Sequence, residues 1–173
     1  MFSAEFEQEI WTEDLELLDD TATGIVRIRR PNRFKWEYAV PYEQTIVCDG
    51  TALWMYDVEL EQATRSSLDE ATSASPALLL SGDAAIVDAF EVIDESTLDG
   101  VAWITMIPRA DASEFETVRL GFEDELLTRL EFVNGLNQTT VIHFTSIDTE
   151  TVLPDEIFEF TPPRGVHVLG SAD

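Results

Sequence analysis

Arg30 is the side chain of this chain whose setting most plainly demands a chemical partner. Reading backward from it, Ile28, Val26 and Gly24 share its face by period two, while Arg29, Arg27 and Ile25 take the other. A guanidinium on the apolar face of a sheet needs acceptors supplied from elsewhere in the fold to offset its desolvation. The alternative reading is an edge-strand arginine that snorkels to water. Other reactive side chains are poorly placed for catalysis. His143 and His167 lie in separate segments, and His143 alternates with Val141 and Thr145 as an ordinary strand residue does. Cys48 has no histidine near it in sequence and reads as a small buried thiol in the apolar run Thr45-Ile46-Val47-Cys48. No serine sits in a G-x-S-x-G elbow. The acidic pairs Asp19-Asp20 and Asp94-Glu95 match no EF-hand pattern, and a single cysteine excludes an internal disulfide or cysteine-based zinc cluster. No catalytic residue, metal or cofactor is expected.

The elements that carry these residues read as strands. Pro31 cannot donate to a ladder, so it separates the strand ending at Arg30 from the next one. In that next strand Phe34, Trp36, Tyr38 and Val40 fall on one face and Arg33, Lys35, Glu37 and Ala39 on the other. Phe2, Ala4 and Phe6 alternate with Ser3, Glu5 and Glu7, which predicts an opening strand before an acidic loop over residues 12–23. Residues 45–48 and 51–57 form a hairpin through Asp49-Gly50, a type I′ signal. Further strands are predicted over residues 61–68, 90–93, 101–108, 115–122, 126–133 and 138–146, with a last piece over residues 157–160. That makes about eleven strands in one antiparallel sheet.

A different character interrupts the strands. Residues 69–75 are polar and loop-like. Ser75-Pro76 reads as an N-cap followed by a first-turn proline, opening the apolar run of residues 77–80. Gly82 stops that run, and Asp83 caps a second short helix in which Ile86, Val87 and Phe90 are apolar. Helices this short do not survive alone in water, so they must lie on an apolar surface.

Composition narrows the function. The chain has 173 residues, a length that suits one domain with a sizeable core. It carries 35 acidic residues against 10 basic ones, a net charge of -25 that repels nucleic acid and anionic membrane surfaces. Hydrophobic residues at 45% oppose disorder. The acidity is spread along the chain and fits a solvated surface adapted to salty surroundings, where counterions screen self-repulsion. No apolar stretch approaches the roughly 20 residues that span a bilayer. Trp11, Trp36, Trp54 and Trp103, with Phe34, Phe115, Phe122, Phe132 and Phe144, supply more aromatic surface than a sheet requires. With two apolar helices inserted as a cover, they point to a greasy ligand; a packed barrel interior is the plainer alternative.

The segment RPNRFKWEYAVPYEQTIVCDGTALWMYDVELEQAT (residues 30–64), the run SPALLL (75–80) and the stretch FEFTPPRGV (158–166) together resemble the outer-membrane lipoprotein carrier family, LolA. RPNxFxW, DGxxLWxYDxxxxQAT and FTPPxGV in this order are specific, and the resemblance spans nearly the whole chain. It implies a mainly β fold with short helices, a partly open antiparallel β-barrel covered by an α-helical lid, as a single carrier domain over residues 1–173. It implies a periplasmic chaperone that shields the acyl chains of lipoproteins released by the inner-membrane ABC complex LolCDE and delivers them to the outer-membrane acceptor LolB. Such a protein is no enzyme and works as a monomer. In the family's pattern Arg30 holds the lid through hydrogen bonds to lid backbone, with Leu80 and Ser81 at the nearest lid positions. Phe34 matches the aromatic at the ligand entrance. Trp36, Tyr38, Trp54, Leu78, Ile86, Phe132 and Phe144 are the expected acyl-chain cavity, and Pro162-Pro163-Arg164-Gly165 matches the family's C-terminal loop. Two departures stand out: the chain opens Met1-Phe2-Ser3-Ala4 with no signal-peptide pattern, and the family's first lid helix has no counterpart, as in a trimmed chain or one with a misplaced start.

Competing readings share this architecture. A LolB-like acceptor needs an N-terminal lipobox cysteine, whereas Cys48 is internal. A periplasmic lipid-binding sensor would carry an additional domain. A hydrolase with a hydrophobic pocket would need a nucleophile–base pair that the sequence does not offer.

Overall fold

A computed structural model of the chain describes residues 1–68, 77–82, 84–109 and 115–170. Its strands are β1 (Phe2–Trp11), β2 (Ala22–Arg29), β3 (Arg33–Val40), β4 (Gln44–Cys48), β5 (Ala52–Asp57) and β6 (Gln62–Ser67). Two short helices follow, α1 (Ala77–Leu80) and α2 (Ala84–Asp88), and then β7 (Phe90–Leu98), β8 (Val101–Pro108), β9 (Phe115–Glu123), β10 (Leu126–Asn134) and β11 (Thr139–Asp148). A 3-10 turn (Asp155–Phe158) and β12 (His167–Gly170) complete the order. All twelve strands belong to one sheet, ordered β12-β6-β5-β4-β3-β2-β1-β11-β10-β9-β8-β7. It stays open, with β12 and β7 at its two edges. β1 sits centrally, antiparallel to both β2 and β11, and joins the two halves of the chain.

Alternation sorts the side chains into an apolar inner face and a charged outer one. Across β2, β3 and β4 the register places Ile28 opposite Phe34 and Phe34 opposite Cys48, then Val26 opposite Trp36 and Trp36 opposite Ile46. These residues are buried and form one cluster with Ala4, Phe6, Leu130, Ile142 and Phe144. Each large apolar side chain so buried contributes about 1.5–3 kcal/mol relative to exposure. Aromatic rings lock the centre: Phe6 lies 4.8 Å from Trp36 and 5.2 Å edge-on from Tyr38, and Trp36 meets Phe144 at 6.1 Å. Gly24 makes room for this stack, because a Cβ there would stand 2.8 Å from the Phe6 ring and closer still to the Glu37 carbonyl. On the outer face Arg27 reaches across to Glu37, which Lys35 also bonds within β3, and Arg119 meets Glu131 across β9 and β10 at 2.9 Å.

Several sequence expectations change. The sheet has twelve strands, and residues 157–160 are not its last one. A 3-10 turn occupies Asp155–Phe158, and the final strand is β12, which runs parallel to β6. The strand predicted to end at Ile93 continues to Leu98. The Asp49-Gly50 turn is not type I′, since Gly50 alone of the pair has positive φ. Instead the Asp49 carboxylate accepts from the Thr51 and Ala52 N–H groups and the Thr51 hydroxyl. Asp99-Gly100, with φ of 51° and 84°, takes positive φ at both positions. The expected loop at residues 69–75, the Ser75-Pro76 cap and the Asp83 cap lie outside the described residues, as does the side chain of Ile86 within α2.

Candidate functional site

The corner between β2 and β3 meets the end of α1 through two hydrogen bonds. Arg30 donates from Nε to the Leu80 carbonyl at 3.2 Å, and the Asn32 backbone N–H donates to the Ser81 carbonyl at 3.2 Å. A four-residue helix leaves its last carbonyls without intrahelical partners, so these two donors satisfy groups that the helix cannot. Asn32 adopts the left-handed conformation at φ 61°, which asparagine tolerates better than most residues. Behind it the Cys48 thiol donates to the Asn32 carbonyl at 3.1 Å. On the helix side, the Ser81 hydroxyl, fully buried, donates to the Leu78 carbonyl at 2.6 Å. Gly82 then turns the chain away at φ +73°; a Cβ there would lie 2.9 Å from Arg30 Cδ.

Two features of this corner were not legible beforehand. Arg30 combines the two readings left open for it: the residue as a whole is solvent-exposed, yet its Nε donates to an acceptor supplied from elsewhere in the fold. Asn32 and Cys48 were not expected to take part, whereas Gly82 ends the run of residues 77–80 as expected and in addition lies against Arg30. The residue type was the available signal for Asn32, since asparagine tolerates the left-handed conformation it adopts here.

Beneath α1 the inner face is filled. Leu78, Leu79 and Leu80 are 1%, 7% and 3% exposed and belong to the same cluster as Phe34, Trp36 and Phe144. Phe132 and Tyr38 pack against that cluster from its margin, and Phe132 makes an edge contact with Phe115 at 5.1 Å. Of the expected cavity residues, Trp36, Tyr38, Leu78, Phe132 and Phe144 are therefore brought together. Phe34 joins them, but at 0% exposure it lies deep in the cluster and not at a surface opening.

Trp54 does not join them. It pairs with Val47, one position out of phase with the inward Cys48–Leu53 pair, and so faces outward. There it packs on Phe160 at 5.4 Å beneath the C-terminal segment, with Arg65 over its ring. Trp103 also faces outward, under the Arg119 guanidinium at 4.3 Å. Trp11 alternates away from the inward Phe6 and donates to Glu9 at 3.2 Å. Trp36 is the one tryptophan of the inner face, and its indole N–H finds no acceptor among the described residues.

At the opposite ends of the same strands, a concavity of about 580 Å³ opens between Gln8, Ala22, Tyr38, Tyr42, Asp57 and Leu60. The Tyr38 hydroxyl at its floor donates to Gln8 at 2.9 Å. Burial pushes this phenol up to about 12, with the hydrogen bond to Gln8 opposing the rise. A smaller cleft of about 200 Å³ lies beside Arg30, between Phe2, Ile28, Phe122 and Leu127. Nothing in either arrangement pairs a nucleophile with a base. The site's chemistry is the burial of apolar surface under a polar clasp.

An open, mainly antiparallel sheet with a helix seated on its apolar face defines the class. Its overall course follows that of a LolA superfamily protein from Nitrosomonas europaea, with a TM-score of 0.55 at 14% identity over 92% of this chain and 90% of that one. A conserved protein from Thermus thermophilus superposes with a TM-score of 0.57 at 13% identity, over 98% of this chain and 90% of that one. The chain belongs to the family of the outer membrane lipoprotein carrier protein LolA, whose sequence model matches residues 1–161. It is 39% identical to the outer-membrane lipoprotein carrier protein of Methylococcus capsulatus over 84% of this chain and 70% of that protein. The carrier proteins of Neisseria gonorrhoeae and Nitrosospira multiformis are each 37% identical, covering 87% and 96% of this chain and 73% and 80% of theirs.

Proposed function

We propose that the protein is a periplasmic carrier, one domain working as a monomer, that shields lipoprotein acyl chains in water by housing them on the inner face of its sheet. The chains would arrive from the inner-membrane complex LolCDE and leave to the outer-membrane acceptor LolB. On this reading α1 and α2 are a lid, Arg30 is its latch onto Leu80 and Ser81 is its neighbour; the inner aromatic residues together with Leu78 and Ile86 form the acyl-chain bed. The protein performs no covalent chemistry and needs no cofactor. No described helix is long and apolar enough to cross a membrane.

The single observation that supports this most is the seating of α1. Three consecutive leucines occupy the inner face, held there by hydrogen bonds at 3.2 Å. Each CH₂ removed from water gains roughly 0.8 kcal/mol, so one long acyl chain contributes on the order of 10 kcal/mol. Binding that strong would trap the cargo. A lid that fills the bed in the empty state lowers net affinity by the free energy of closure. The latch bonds, about 1.5–3 kcal/mol for a charge-assisted one and less where exposed, are of a size to tune that balance without dominating it.

The test is a transfer assay. The protein is incubated with a diacylated lipopeptide, the soluble complex is isolated by size exclusion, and the acceptor is then added. A one-to-one soluble complex that discharges to LolB supports the reading. Lipopeptide that stays aggregated, with none co-eluting, rejects it.

A further inference from the structure

The corner that holds α1 on the inner face is itself held from the outer face. Arg29 and Arg33 are register partners at the ends of β2 and β3, and both turn away from Ile28 and Phe34. Both reach Oδ1 of Asp155: Arg33 from Nη1 at 2.9 Å, and Arg29 from Nη1, which also donates to the Leu153 carbonyl at 3.4 Å. Asp155 opens the 3-10 turn of the C-terminal segment. That segment is fixed to the outer face by Leu153 and Phe158, 5% and 1% exposed, and by Phe160 against Trp54 and Tyr56. Five consecutive residues therefore bind the helix on one side, through Arg30 and Asn32, and the C-terminal segment on the other, through Arg29 and Arg33.

The charges make Asp155 the keystone of this arrangement. The chain has ten basic residues, and three of them are Arg29, Arg30 and Arg33. Arg29 and Arg33 stand directly opposite each other, where like charges repel. Asp155 is the carboxylate that bridges them. We propose that Asp155 is a positioning residue for the lid latch: by drawing Arg29 and Arg33 together on the outer face it sets the corner from which Arg30 and Asn32 reach α1. The coupling runs both ways by linkage, so cargo that lifts α1 also loosens the C-terminal segment. This rests on the reading of α1 as a lid held by Arg30.

Cys48 supplies the probe. It is the only cysteine, it is fully buried, and its thiol donates to the Asn32 carbonyl inside the corner. Its rate of modification by a thiol reagent in the folded chain of residues 1–173 therefore reports how often the corner opens. Asp155→Asn and Arg30→Leu should each raise that rate, by roughly three- to fivefold for Asp155→Asn given the partly exposed ion pairs it removes. The double variant should be no faster than the faster single one. Asp155→Glu, which keeps the carboxylate, should label as slowly as wild type. Glu156→Gln, the same change of charge one residue along, should leave the rate unchanged. Faster labelling in Arg30→Leu but not in Asp155→Asn would leave the latch standing and overturn the coupling. No acceleration in Arg30→Leu would overturn the latch itself. Rates that multiply in the double variant, or an equal acceleration in Glu156→Gln, would also reject the proposal. Should Asp155→Asn prove too unstable to fold, Arg33→Gln, which removes the bridge to β3 and leaves Arg30 in place, decides: it should label faster than wild type, and an unchanged rate overturns the coupling.

Discussion

Arg30 donates to the carbonyl of Leu80, a residue fifty positions further along the chain, and this 3.2 Å bond joins a sheet corner to the end of α1. The bond is partly exposed, so on the proposed reading of α1 as a lid it would stabilise closure by an amount at the lower end of the charge-assisted range, on the order of 1 kcal/mol. Arg30→Leu should therefore shift the open–closed balance about fivefold toward the open form. Retention of a bound fluorescent acyl chain should lengthen by that factor, and discharge to the acceptor should slow accordingly. Stopped-flow release measures both.

Gly82→Ala should loosen the same contact without touching Arg30. An alanine at φ +73° costs about 1–2 kcal/mol, and its Cβ would press on the Arg30 side chain. Acyl-chain retention should change in the same direction as in Arg30→Leu, while the melting temperature of the sheet moves little.

Phe34→Glu is expected to do more than disturb cargo handover. The side chain is 0% exposed among Ile28, Trp36 and Cys48, and a carboxylate there has no solvent. Losing the ring alone costs about 3–5 kcal/mol, and the buried charge adds to it. Urea denaturation should show a protein that is largely unfolded or close to it. Phe34→Leu, which keeps most of the apolar volume, is the variant for reading transfer.

Tyr38 makes stability fall at alkaline pH. Its phenol is raised to about 12 in the folded protein, so above about pH 10 the unfolded chain loses this proton first. The contribution is complete below about pH 10 and is lost as pH rises towards 12, to a total on the order of 2–3 kcal/mol. Chemical denaturation across that alkaline range should show the decline, and Tyr38→Phe should flatten it.

A net charge of -25 should make the fold salt-dependent. Sodium chloride screens repulsion among exposed carboxylates, so the melting temperature should rise from dilute buffer towards molar salt. A flat profile would show that the acidity does not burden the fold.

The inner face of β2 and β3 was legible because a single break, Pro31, keeps the alternation of Val26, Ile28, Phe34, Trp36 and Tyr38 in phase. Trp54 was misplaced because aromatic character was given more weight than register. Carried through the hairpin, the alternation sends Leu53 inward and Trp54 outward. What makes an outward tryptophan tolerable is Phe160, more than a hundred residues later, and no local pattern shows that cover. β12 escaped notice for a related reason: His167–Gly170 is four exposed residues that gain strand structure only by pairing with β6. The contact of Arg30 with the backbone at the end of α1 was an expectation of the family resemblance. The partners of Asn32 and Cys48 came only with the coordinates, because backbone acceptors leave no mark in side-chain types.

The central claim is that cargo chains lie where Trp36 lies. Trp36 alone of the four tryptophans faces inward, so contact quenching by a brominated acyl chain separates the inner face from the outer. A dibrominated diacyl lipopeptide should quench the wild type on binding, and Trp36→Phe should abolish that quenching while still forming the complex. Quenching that persists in Trp36→Phe would put the chains on the outer face and contradict the account.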